Sequence, residues 1–383
     1  MLKQLGRGTS SSQRTDFPTL FTFTQGLPSQ VTYTRADTVS TYRNGNGQLV
    51  QASTGQPRID HREDGLALGI LIEGTRTNKV SVYNAAPTST TGLTLAGTAT
   101  AAIVTDSTSL SAAKLELIGN GKVFQVTGGA SGGTVDIAGT VANLNLHSFS
   151  VYARVVTGSG AALMHSGLSS GGSAISGSTY KRYKFENQTP AATTNMLRLL
   201  VPAGCQILFL LPQVEEAKFC SSEIVTAGAS ATRASDAAYI ASLNSQNWWN
   251  EGAGAINVRY RTYAWVQNLA DQYVIVANNG SSGETLGFRI AKADATAIAY
   301  VRSQAASINS LSLTSKHLCG VLQSASMSWA NGESTIYHIG TSKVASYTGT
   351  PTGLTELRIG ARNGGLEPLW GWIESFSVNK KPQ

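Results

Sequence analysis

The chain has 383 residues, a net charge of +7, 40 glycines, 41% hydrophobic side chains and only 13% charged ones. Globular proteins carry roughly 25% charged residues, so this chain can bury real cores but reads as a rigid all-β protein rather than a helical enzyme. No apolar run approaches the ~18 residues of a membrane helix, no basic block suits nucleic acid, and the cysteines, Cys205, Cys220 and Cys319, are three without close spacing, which argues against a disulfide framework or zinc site and for reduced, buried thiols.

Taken in order, the first 30 residues read as an extended, polar docking arm held by a partner. MLKQLGRGTSSSQRTD lacks the apolar core of a signal peptide. TLFTFT, residues 19–24, alternates with Phe21 and Phe23 on one face. Residues 31–79 read as a β-rich connecting segment. It holds a hairpin signal, Asn44-Gly45-Asn46-Gly47, with QLVQA pairing back. Its apolar run Leu66–Ile72 fits one buried strand covered on both faces. Glu73 ends that strand, and a carboxylate there needs a partner; Arg58 and Arg76 are the nearest cations. Thr34-Arg35-Ala36-Asp37 recurs as Thr232-Arg233-Ala234-Ser235-Asp236. Arg and Asp so close clamp a turn by charge-assisted hydrogen bonds, so Arg233 and Asp236 join Arg58, Glu73 and Arg76 as structural ion-pair candidates.

Residues 80–236 read as one β-sandwich of short alternating runs, AAKLELIG among them, with Gly, Ser and Thr punctuation. In SFSVYARVV, Phe149, Val151, Ala153 and Val155 share one face, and Ser150, Tyr152 and Arg154 the other. In KRYKF, Arg182 and Lys184 share a face expected to be solvated. Residues 237–383 read as a second sandwich. All six tryptophans, Trp248, Trp249, Trp265, Trp329, Trp370 and Trp372, lie here. In GAINVRYRTYAWV, Ile256, Val258 and Tyr260 point in, and Asn257, Arg259 and Arg261 point out. Trp370 and Trp372 share spacing with Phe376 and Val378 and are expected in the core.

Catalytic signatures are poor, and no cofactor is expected. Gly167-Leu168-Ser169-Ser170-Gly171 matches a nucleophile elbow, but GSAISGST cannot begin the helix that follows one. Glu215 and Glu216 are adjacent and face opposite sides of a strand, so they make no glycosidase pair. No two histidines have zinc-ligand spacing. His61 with Asp60, Glu63 and Asp64 reads as a turn knitted by Arg58 and Arg62 rather than a cation site. Exposed aromatic rings remain, on which sugars stack: Trp248 or Trp249, with Tyr152 and Tyr183 as weaker contact candidates beside Arg259 and Arg261.

Three stretches carry a resemblance. Thr34-Arg35-Ala36 ahead of Tyr42, then the Asn-Gly turn, PRID and GLALGILIEGTRTN, resembles a segment common in structural proteins of tailed bacteriophages. SFSVYARVV, YKRYKFEN and LPQVEEAKFCSSEIVT followed by ATRASD resemble a carbohydrate-binding-module-like jelly roll, with Ala217 and Val225 in place of its usual Gly and Pro. LRIGARNGGLEPLWGWIESFSVN is similar to the last strands of laminin-G/concanavalin-like domains. The resemblance implies two jelly-roll/concanavalin-like sandwiches behind an arm and a connecting segment. It implies a non-enzymatic virion protein, a tail fibre or baseplate component adhering to a host-surface glycan or protein. It also implies a homotrimer joined through its arm to other virion proteins and made in the host cytoplasm. A capsid decoration or head fibre is the alternative, and a concanavalin-type glycan-degrading enzyme a third reading.

Overall fold

The computed structural model describes residues 19–141, 144–168, 171–190, 193, 197–264, 270–280, 284–303, 307–330, 332–347, 351–362 and 365–380. The first 18 residues of the expected arm, Ser169, Ser170 and Trp265 lie outside the described residues. Antiparallel strands dominate and build two sandwiches.

The first sandwich turns on a long hairpin, Leu93–Thr105 with Lys122–Ile137. One half of Lys122–Ile137 pairs with Gln206–Glu215 and the other half with Leu197–Val201, so the hairpin runs through both layers. The fold-over needs glycine. Gly97 and Gly132 both have positive φ, and a Cβ on Gly133 would sit 2.2 Å from the Ala96 carbonyl oxygen. His147–Thr157 and Lys181–Gln188 extend one layer; Ala161–His165 and Ser173–Ile175 extend the other. Phe124, Val135, Phe149, Leu199 and Phe209 fill the space between them.

AAKLELIG departs from its expected strand. It lies across two short helices, Ser107–Ala112 and Glu116–Gly119. Leu110, Leu115 and Ile118 are buried, and the 115/118 spacing is helical rather than alternating. Asn120, with φ 45°, ends the second helix in the left-handed region.

The second sandwich faces an eight-stranded sheet with a seven-stranded one. Much of the expected connecting segment belongs to it, as does Thr19–Thr22 of the expected arm, while the Thr41–Arg43 and Leu49–Gln51 hairpin is a sheet of its own with Leu49 packed against the first sandwich. Thr19–Thr22 pairs with Gly371–Lys380, putting Thr19 opposite Val378. Ala67–Ile72 pairs with the same strand, and Ile59–His61 pairs in turn with Ala67–Ile72. Thr32–Thr34 adds to the other sheet beside Ala237–Ile240. The reason is burial: Phe21, Phe23, Ile70 and Ile72 enter the core that holds Ile256, Tyr260, Phe288, Trp329 and Phe376. Fully burying each such side chain is worth about 1.5–3 kcal/mol. Phe21 stacks on Phe376 with ring centroids 4.5 Å apart. The first sandwich is therefore an insertion within the second. Its entry strand, Arg76–Asn78, pairs with its exit strand, Ala231–Arg233.

Candidate binding cleft

The neck of the insertion holds a sealed charge cluster. Glu73 Oε2 accepts from Arg58 Nη1 at 2.6 Å, Ser222 Oγ at 2.5 Å and Arg233 Nη1 at 2.9 Å. Its Oε1 accepts from the Ser222 amide at 2.9 Å and from the Tyr263 hydroxyl. Arg58 also donates to Asp236, which accepts from the Tyr33 hydroxyl and, at 2.8 Å, from the Glu73 amide. Burial opposes the charge on Glu73, but Arg233 and then Arg58 outweigh it and hold the carboxyl well below its usual range. The two Thr-Arg-Ala echoes meet here. Asp37 caps the Ala234 amide at 2.9 Å, and Arg35 lies 4.0 Å from Asp236. Arg76 stands apart, 3.8 Å from Glu215, with its guanidinium 4.3 Å from the centre of the Trp370 ring.

Beside this cluster a cleft of about 540 Å³ opens between the sandwiches. One wall is the first sandwich: Tyr152, Arg182, Lys184 and the 220–223 turn. The other is the N-terminal segment, with Tyr42, Arg43 and 60–64, and Tyr263 and Trp372 also line the space. The Tyr263 and Trp372 rings meet edge to face at 5.5 Å. Both are fixed in direction, Tyr263 by Glu73 and Trp372 by an Nε1 bond of 2.8 Å to Asp60. Asp60 also accepts from the Arg43 amide at 2.6 Å. Burial pushes its carboxyl up to about 6, against those hydrogen bonds. Glu223 behaves oppositely. Burial raises its carboxyl, but Arg182 at 3.1 Å, with Arg43 and the Tyr152 hydroxyl at 3.0 Å, brings it below the usual range.

Several expectations change against this geometry. Arg182 and Lys184 line the cleft instead of a plain solvated face, and the Arg182 side chain is only 16% exposed. Tyr152 is no open platform: its ring is buried among Leu110, Leu208 and Leu210, and its hydroxyl meets Glu223. Tyr183 packs against the first core and bonds the Ser176 backbone. Trp249 is buried, while Trp248 is half-buried with its ring edge-on to Phe21 at 5.4 Å. Arg259 stays exposed and pairs with Glu374 at 3.2 Å; Arg261 is half-buried on the neighbouring register. Arg58 serves the sealed cluster, so the 60–64 turn is knitted by Arg62, which pairs with Asp64 at 3.0 Å, and by Arg43, which pairs with Glu63 at 2.9 Å. Among the described residues no group of three or more ligating side chains forms. Cys205 and Cys220 are buried free thiols, but Cys319 is half-buried. Trp370 is buried beside Phe219 and Ala264, in a small cluster apart from the main core.

Trp372 is the position sequence spacing misplaced. The register against Ala253–Thr262 slips so that Ile373 faces Tyr260 and Ser375 faces Arg259. The extra residue, Glu374, makes a bulge that reverses parity. Ile373 therefore joins Phe376 in the core, and Trp372 turns out to the cleft. Alternation alone carries no signal for this.

No known protein family and no curated protein matches the chain. Solved β-sandwich structures are similar to it. The carbohydrate-binding module of the Ruminococcus gnavus IT-sialidase, bound to α2,3-sialyllactose, covers 34% of this chain and 77% of its own, at 16% identity and TM-score 0.30. Domains LG4-5 of the mouse laminin α1 chain cover 66% of this chain and 85% of their own, at 9% identity and TM-score 0.27. A pentraxin from Limulus polyphemus covers 33% and 63%, at 16% and 0.25. At such scores these structures say nothing about a ligand.

Proposed function

We propose that the protein is a non-enzymatic adhesion protein whose inter-sandwich cleft binds a glycan. In this reading it serves on the exterior of a tailed-phage virion, as a tail-fibre or baseplate-type component meeting the host surface. The cleft carries the binding half: its volume suits a saccharide of a few rings, and its oriented aromatic edge, Tyr263 with Trp372, suits stacking against sugar rings. The virion half rests on the phage-like stretches within 19–79, 148–240 and 355–378. The polar first 18 residues would then meet other virion proteins, and the chain would act as a trimer. The carboxylates support binding over catalysis. Asp60 and Glu223 are both engaged by protein donors.

The test is an array of bacterial surface glycans probed with the full chain and with Trp372→Ala and Trp372→Phe. Trp372→Ala is expected to lose binding while keeping a cooperative thermal transition. Trp372→Phe keeps a ring and retains part of the affinity. Binding by the folded Trp372→Ala protein equal to the parent's would overturn the cleft as the site.

A further inference from the structure

The geometry points to an anionic saccharide as the occupant of the cleft, its carboxylate or phosphate taken by Lys184 beside Arg182. This rests on the glycan reading above and assigns its charge. The cleft's buried carboxylates are spent within the protein, and the two at its exposed mouth each have a short arginine partner. Glu63 pairs with Arg43 at 2.9 Å, and Asp64 with Arg62 at 3.0 Å. Glu223 and Asp60 are satisfied as described. Lys184 differs. Its side chain is 41% exposed, and the ammonium has one distant partner, Glu186 at 3.7 Å. That carboxylate is itself committed to the Cys220 amide at 2.8 Å.

An ammonium offers three donors and no acceptor. The unspent hydrogen-bonding capacity at this wall is therefore donor capacity with a positive charge. Arg182, two residues away on the same strand face, is fixed by Glu223 and, at 3.0 Å, by Ser150 Oγ. It adds positive potential from a held position. A ligand oxygen carrying negative charge satisfies Lys184 better than a hydroxyl, because charge-assisted bonds are roughly twice as strong as neutral ones. The chain's net charge of +7 favours approach of such a ligand.

The experiment uses the full chain on an array of sialylated, uronic-acid, phosphorylated and neutral glycans, with affinities then measured by calorimetry. Retention of acidic glycans over their uncharged counterparts is expected. Lys184→Gln should weaken that binding about tenfold, Lys184→Glu should weaken it further, and Lys184→Arg should keep most of it. Raising salt from about 0.05 M to about 0.5 M should also weaken it. The carboxylate and phosphate arms of the array tell which group is read. Neutral glycans bound equally by the parent and Lys184→Gln, and lost in Trp372→Ala, would overturn the anionic assignment and leave the glycan reading standing. Absence of binding to every glycan would remove both.

Discussion

Two groups of charges lie side by side at the junction, and they are built to opposite ends. Ser222 serves one and Glu223, the next residue, serves the other. In the Glu73 cluster the Arg58, Arg233, Glu73 and Asp236 side chains are all fully enclosed. Such a cluster offers no charge to a ligand; it fixes the neck of an inserted domain and holds the Tyr263 hydroxyl. In the cleft the buried carboxylates are satisfied too and the exposed Glu63 and Asp64 have short arginine partners, but Lys184 has only a distant one and two rings stand half-open. Ion pairs alone therefore do not mark a binding site. What marks it is the charge left over after every internal partner has been counted.

The largest effect that would break this contrast is expected from Glu73→Ala. It leaves Arg233 buried without its carboxylate and Arg58 with Asp236 alone, a loss of about 3–5 kcal/mol. Chemical denaturation reads it, and because Glu73 also holds the Tyr263 hydroxyl, the affinity of the remaining folded molecules for glycan should fall, but by less than in Trp372→Ala. A loss below about 1 kcal/mol, the range of exposed pairs, would mean the cluster is not sealed.

A third polar group extends the comparison into the core. Tyr260 stacks between His317 and His338, with Thr262, Ser315 and Gln323 completing the hydrogen bonds and no charged side chain among these contacts. Burial lowers both imidazoles from the ordinary 6.5 to about 4, with His338 adding to the effect on His317. Between those values the unfolded chain takes up protons that the folded chain refuses. The contribution is fully present above pH 6.5 and is lost as pH falls toward 4. The melting temperature should drop across that window, and a His338→Gln variant should show a shallower drop. An unchanged slope would argue that the cluster does not titrate. The smallest effect belongs to Arg259→Ala. Its side chain is 52% exposed in a simple pair with Glu374, so the change should stay within about 0.5 kcal/mol in a denaturation curve.

Local periodicity made much of the fold legible. Phe21 and Phe23 point inward together, Ile256, Val258 and Tyr260 share the core, and the Asn-Gly stretch at 44–47 turns a hairpin between Thr41–Arg43 and Leu49–Gln51. What escaped is long-range or parity-breaking. Alternation shows that a segment is a strand but not which sheet receives it, so the partnership of Thr19 with Val378 was hidden. Arg233, one of Glu73's two cations, sits far along the chain, while the nearer Arg76 goes to Glu215. One bulge residue, Glu374, sent Trp372 out of the core. The cleft was invisible for the same reasons, since it draws on three segments that meet only after folding.

The split of the second sandwich also sets an order of events during synthesis. Thr19–Thr22 and Ala67–Ile72 leave the ribosome long before Gly371–Lys380, with which both pair. The inserted sandwich has all its own strands between Leu93 and Glu215 and can close first. Until the last strand arrives, Phe21, Phe23, Ile70 and Ile72 have no core to enter, and their strands stand as unpaired edges, the condition that invites aggregation. Pairing over so many residues is slow to find. The early closing of Arg76–Asn78 against Ala231–Arg233 shortens that search, because it brings the waiting strands to the start of the remaining chain.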